Sequence, residues 1–151
     1  MSDIGFYHLT RSTATQALPK LLGRTLAAGQ RAMVVCADEA RLRAVSDALW
    51  ASQDPVWLPH GSTRTGEADL QPIWLATADE LPAGAPNGAR FLFRLDGLDS
   101  DAAGWDRVFD LFDGGEEASV KAARRRWAAA KQAGHQLTYW QQGERGWQKK
   151  A

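Results

Sequence analysis

The apolar run Ala32-Met33-Val34-Val35-Cys36 constrains the fold more than any other segment. It is short, rich in valine and lacks polar alternation. Such a run reads as a strand buried on both faces, which belongs in a parallel sheet covered by helices. Its neighbours agree. Ile4-Gly5-Phe6-Tyr7-His8-Leu9 reads as a first strand, with Thr10-Arg11-Ser12-Thr13 as its exit turn. Residues 14–28 carry Ala17, Leu18, Leu21, Leu22, Thr25 and Leu26 at helical spacing, and Gly29 stops the helix. Pro19 is tolerated near a first turn, which leaves the start of this helix open. Asp38 is placed to cap a second helix running to Trp50, with Leu42, Val45 and Leu49 facing inward. A β-α-β-α opening of this kind predicts a single three-layer α/β/α domain with a mostly parallel sheet.

The remaining segments extend that sheet. Val56-Trp57-Leu58-Pro59-His60 is a short apolar stretch, and residues 61–70 read as a polar surface loop. Ile73-Trp74-Leu75-Ala76 and Arg90-Phe91-Leu92-Phe93 read as buried strands separated by a turn-rich segment, residues 81–88. Residues 105–111 read as another strand, 116–133 as a helix closed by Gly134, and residues 137–140 as a final strand. No internal repeat or linker divides the chain, so residues 1–151 form one domain, with about the last eight residues expected as a flexible tail.

Charge and composition exclude several function classes. Eighteen basic residues balance eighteen acidic ones, whereas a general nucleic-acid binder carries an excess of cations. No apolar run approaches the ~20 residues needed to cross a bilayer, and the N-terminal segment has no secretory pattern. The lone Cys36 fits a reducing compartment, so the expected location is the cytoplasm. His8, His60 and His135 lack metal-ligand spacing, and no metal site is expected. The turn after the first strand holds no glycine, so pyrophosphate could not approach its backbone, and no nucleotide cofactor is expected. Asp38 and Glu39 stand where a ribose-binding acid would lie, but they suit a helix N-terminus better. Cys36 and His60 could form a nucleophile and base, but their spacing does not require it, and no catalytic residue is expected.

The most unusual segment is the third helix, with Lys121, Arg124, Arg125, Arg126, Trp127 and Lys131. At ~100° per residue, Val120, Arg124, Trp127 and Lys131 fall within about 60° on one stripe. Two readings stand. The cations form a solvated face and Trp127 packs with Val120, Ala123 and Ala130; or the stripe seats an acidic peptide with an apolar end. The seven tryptophans exceed what a core of this size needs, which favours some of them meeting a partner. Two further readings place an enzyme with a nucleotide or methyl-donor cofactor on the sheet, or a direct single-stranded DNA binder that uses tryptophan and arginine.

The order of several motifs resembles the chi subunit family of bacterial DNA polymerase III. They are Phe6-Tyr7-His8-Leu9, Val34-Val35-Cys36-Ala37-Asp38-Glu39, Asp47-Ala48-Leu49-Trp50, Trp57-Leu58-Pro59-His60-Gly61, Phe112-Asp113-Gly114, Ala123-Arg124-Arg125-Arg126-Trp127 and Ala133-Gly134-His135-Gln136-Leu137-Thr138-Tyr139-Trp140. The resemblance implies a Rossmann-like fold without a cofactor site. It implies a non-catalytic replication subunit that ties the clamp loader, through the psi subunit, to the acidic C-terminal tail of single-stranded DNA-binding protein. On that resemblance Arg124 grips the tail carboxylate beside Trp127, and Trp50 joins the contact. Ala128 and Val120 stand where family members carry cations, so Lys121 and Lys131 are expected to take over those roles, and Arg125 joins them in attracting the tail's acidic residues. Trp57, with Val56 and Leu58, matches the surface for psi, another clamp-loader component or a helicase. DNA is met mainly indirectly, and no membrane is involved.

Overall fold

The structure, a computed structural model, describes residues 2–53, 55, 57–80, 85–98 and 102–151. Val56, residues 81–84 of the predicted turn-rich segment, and residues 99–101 lie outside that set. Among the described residues one eight-stranded sheet is covered by three α-helices. The strands are β1 (Asp3–Leu9), β2 (Ala32–Cys36), β3 (His60–Ser62), β4 (Ile73–Thr77), β5 (Phe91–Arg94), β6 (Arg107–Asp113), β7 (Gln136–Gly143) and β8 (Gly146–Lys149). The helices are α1 (Ala14–Ala27), α2 (Glu39–Trp50) and α3 (Glu117–Gln132). The strand order is β3-β4-β2-β5-β6-β1-β7-β8, parallel throughout except for the terminal β7–β8 hairpin. The predicted three-layer α/β fold is the observed one.

All five residues of β2 are buried, as the unbroken apolar run requires. Side-chain alternation then builds two cores. Tyr7, Val34, Leu75, Phe93 and Leu111 point toward α1 and α2, while Phe6, Met33, Val35, Leu92 and Phe112 point toward α3. Thr13 starts α1 with a capping box, its hydroxyl accepting from the Gln16 amide. The start left open by Pro19 is therefore Ala14, with the proline buried in the second turn. Asp38 caps α2, its carboxylate accepting from the Arg41 amide at 2.8 Å.

Two expectations about irregular segments need correcting. Residues 61–70 are not wholly loop, because Gly61 and Ser62 belong to β3 and residues 68–70 form a 3-10 turn. The expected flexible tail contains β8, which pairs with β7 from Trp140↔Lys149 to Gly143↔Gly146. Beyond it, Lys150 donates to the Tyr139 carbonyl at 2.7 Å and Tyr139 donates to the Ala151 carbonyl at 3.2 Å. The tail was hard to read because Gln148, Lys149 and Lys150 look like solvated coil, and only Trp147 is apolar.

Candidate functional site

Helix α3 lies over β6, β1 and β7, and its Val120, Ala123, Arg124 and Trp127 occupy one i, i+3, i+4, i+7 stripe above the strands. Beneath them are Phe6 of β1, Phe112 of β6 and Tyr139 of β7. Parallel register puts Tyr139 directly beside Phe6 and sends both side chains to the α3 face. Helix and sheet enclose a cavity of about 250 Å³ whose lining is almost wholly apolar, with Ala151 at its rim. Trp127 meets Phe6 edge-on at 5.3 Å between ring centroids and Tyr139 at 6.1 Å. The indole is half-buried, so it both packs in the core and walls the cavity.

Tyr139 is held by a hydrogen bond between its hydroxyl and His8 Nδ1, and His8 in turn stacks on Phe112 at 5.0 Å. Burial raises the Tyr139 pKa above the ordinary tyrosine value, and the Arg124 guanidinium pulls it back. Gly114 makes room for this arrangement: a Cβ there would stand 2.1 Å from the His8 ring and 2.7 Å from the Leu9 carbonyl.

The cations of α3 divide sharply. Arg124 is exposed at the cavity rim and makes no ion pair or hydrogen bond among the described residues. Lys131 shares its stripe, about 20° from Val120 but one turn beyond Trp127, and stays exposed. Lys121 and Arg125 lie on the solvent arc; Lys121 pairs with Glu117 at 3.3 Å in an exposed i, i+4 bridge. Neither these two nor Lys131 line the cavity.

Arg126 is different, being only 6% exposed. Its guanidinium grips Asp110 with Nε at 2.7 Å and Nη2 at 2.9 Å, while Arg94 reaches the same carboxylate at 3.1 Å. In the sequence Arg126 reads as one more member of the basic run, and its role was missed. Asp110, a charge inside the otherwise apolar Val108-Phe109-Asp110-Leu111-Phe112, is the signal that could have found it. Phe6 and Tyr139 were likewise read only as strand residues, and Phe112 as part of a turn after a strand ending at residue 111, whereas β6 runs on to Asp113.

Trp50 does not join Arg124. It lies at the end of α2 on the opposite face of the sheet, 61% exposed, with its ring 4.5 Å from that of His60. The resemblance alone grouped Trp50 with Arg124, and a tryptophan at a helix end carries no mark of which sheet face it occupies. Trp57 is 73% exposed ahead of β3, the strand at the far edge from β8. Leu58, expected beside it on an interface, is instead a core residue at 1% exposure, because alternation turns it inward when Trp57 points out. Val56 lies outside the described residues.

The turn after β1 is closed by a residue of β7. The amides of Thr10, Arg11 and Ser12, where a dinucleotide fold would hold phosphate, all donate to Gln142 Oε1 at 3.0, 2.9 and 3.2 Å. Gln142 Nε2 donates back to Ser12 Oγ at 2.8 Å. Cys36 is buried and its thiol is pushed up to about 12, first by burial and then by Asp96. His60 uses both ring nitrogens elsewhere, Nδ1 with the Leu58 carbonyl and Nε2 with Ser46 Oγ, each at 2.8 Å. Among the described residues no cluster of three or more His, Cys, Asp or Glu could hold a metal, and no helix is long and apolar enough to cross a membrane.

These features define a parallel-sheet α/β protein whose phosphate turn is filled by its own glutamine and whose third helix overhangs an apolar groove with an unpaired guanidinium. The sequence matches the model of the DNA polymerase III chi subunit (HolC) family over residues 1–138, and the chain belongs to that family. Membership makes it an accessory replication subunit associated with DNA polymerase III. A search of curated proteins found no significant match.

Proposed function

We propose that this chain ties single-stranded DNA-binding protein to the clamp-loader complex by holding that protein's acidic C-terminal tail in the α3 groove. The observation that carries this reading is Arg124, an unpaired guanidinium at the mouth of a 250 Å³ apolar cavity. A peptide ending in an apolar residue offers a matching pair of groups, a side chain for the aromatic floor and a free carboxylate for the fork of Arg124. An arginine can make two parallel charge-assisted hydrogen bonds to that carboxylate. Trp127, Phe6, Phe112 and Tyr139 receive the side chain. Lys121, Arg125 and Lys131 act at longer range, attracting the tail's acidic residues within a Debye length of ~10 Å.

The second contact of the bridge belongs to the exposed Trp57 ahead of the edge strand β3; Trp50 of α2 packs by His60, the first residue of that strand. That contact takes psi, another clamp-loader component or a helicase. The two surfaces lie toward opposite edges of the sheet, which lets both be occupied together. The subunit works without a catalytic centre of its own, in the cytoplasm at the replication machinery.

Calorimetric titration with a peptide of acidic residues ending in phenylalanine tests the groove. Arg124→Ala is expected to weaken binding by ~2 kcal/mol or more, roughly 30-fold, as loss of a charged anchor does. Equal affinity of Arg124→Ala and the unmodified chain removes the carboxylate grip.

A further inference from the structure

A second groove lies on the opposite face of the sheet, and none of the contacts assigned above uses it. Its cavity of about 220 Å³ is floored by Tyr7 and Phe109, walled by Trp140 and Trp147, and bordered by Arg24 of α1 and Arg107 of β6. Both tryptophans lie beyond residue 138, outside the part of the chain that the family model matches. Trp140 is nearly parallel to Tyr7, with an interplanar angle of 7° at 6.1 Å, whereas Trp147 meets Tyr7 at 90° and 5.0 Å. The two half-buried indoles are therefore roughly perpendicular to each other and both line the groove.

Among the described residues, the charged side chains that line this corner are both cationic, Arg24 and Arg107. Arg24 and Arg107 are exposed and neither forms an ion pair among the described residues. Arg107 stacks over Phe109 at 5.0 Å from the ring centroid. Lys149 is the cross-strand partner of Trp140, so its side chain emerges on the same face. Among the described residues no carboxylate lines the groove; Asp3, in register with Arg107 on the neighbouring strand, borders the adjoining hollow and makes no ion pair with it. The C-terminal end of α1 points here with its partial negative charge, and Arg24 in the last turn offsets it. Burial holds the Tyr7 hydroxyl above the usual tyrosine range, and Arg107 and then Arg24 oppose that shift, so both guanidiniums act on the groove floor.

We propose that this second groove binds a segment of single-stranded nucleic acid, with a base stacked in the Trp140–Trp147 corner and phosphates held by Arg24 and Arg107. Flat aromatic faces flanked by cations are the arrangement that takes bases without sequence preference. The zero net charge of the chain does not oppose it, because the cations that matter are local and form no ion pair among the described residues. An acidic peptide would satisfy the arginines but gain less from two perpendicular indole faces. The inference does not rest on the tail-binding proposal, since the two grooves share no lining residue and lie on opposite faces.

The test is fluorescence anisotropy of a labelled oligothymidylate of about 12 nucleotides, within the ~4–16 nucleotide footprint of such sites. Binding is measured against the full chain, Trp147→Ala and the double variant Arg24→Glu/Arg107→Glu. The unmodified chain is expected to bind at low salt and to quench its own tryptophan emission. Each variant is expected to lose about tenfold or more in affinity. The double variant should also lower the slope of log affinity against log salt by about 1.4, from two phosphate contacts at ~0.7 each. Near-ultraviolet circular dichroism verifies that the variants fold, and the double variant should keep its affinity for the acidic tail peptide. No oligonucleotide binding by the unmodified chain, or binding untouched by both variants, overturns the proposal. Loss of tail-peptide binding in the double variant with oligonucleotide binding intact overturns it in favour of a peptide groove.

Discussion

Replacing Arg126 by alanine separates the three consecutive arginines of α3 most clearly. The guanidinium is 6% exposed and donates to both oxygens of Asp110, at 2.7 and 2.9 Å. Breaking a buried ion pair by removing one partner typically costs ~3–5 kcal/mol. Asp110 keeps one charged partner, Arg94 at 3.1 Å, which puts the expected loss at the lower end, ~3 kcal/mol. For a chain of this length each kcal/mol moves the melting temperature by about 2–4 °C, so Arg126→Ala should melt about 6–12 °C lower. Urea unfolding should show the same loss as a lower midpoint at unchanged slope. The exposed neighbour Arg125 serves as control, since Arg125→Ala should change stability by no more than ~0.5 kcal/mol. Asp110→Ala should cost more than Arg126→Ala, because it removes the anion that lies between two buried cations. Equal melting temperatures for Arg126→Ala and Arg125→Ala would refute the assignment of Arg126 to the core.

Three further outcomes follow from the same contacts. Gly114→Ala should destabilise by ~1–3 kcal/mol in urea titration, since its Cβ meets the His8 ring and the Leu9 carbonyl, and the carbonyl cannot rotate away. His60 has its pKa lowered from 6.5 chiefly by burial, so its contribution to stability is present above pH 6.5 and is lost as pH falls through the depressed folded value. Unfolding midpoints measured from pH 7 to 5 should therefore fall less steeply in His60→Gln than in the unmodified chain. Cys36, raised from 9.0 to about 12, favours folding below pH 9, and that contribution is lost as pH rises toward 12. At pH 8 the thiol should resist a disulfide reagent in the folded chain and react within minutes in urea.

Much of the fold was legible because burial on both faces leaves a simple mark. The unbroken run at β2 and the similar stretches at β4 and β5 announced a parallel sheet, and Gly29, Asp38 and Gly134 marked helix ends through cap and stop chemistry. What escaped was whatever depends on contacts between distant segments. Arg126 looks like Arg124 and Arg125 in one dimension; only the pairing of α3 with β6 makes it internal. Trp50 and Trp127 carry the same indole, and the sheet separates them. Leu58 was grouped with Trp57 by adjacency, although alternation along an extended chain puts neighbours on opposite sides. β8 was missed because an edge strand with one apolar side chain has almost no periodic signal.

Phe6 and Phe112 serve two masters. Each is packed into the interior and each also shapes the hollow beneath α3. A mutation that resizes either ring therefore alters the hollow and the stability of the whole chain at once. Over evolutionary time, the docking preference of this hollow can drift only as far as the folding of the protein allows.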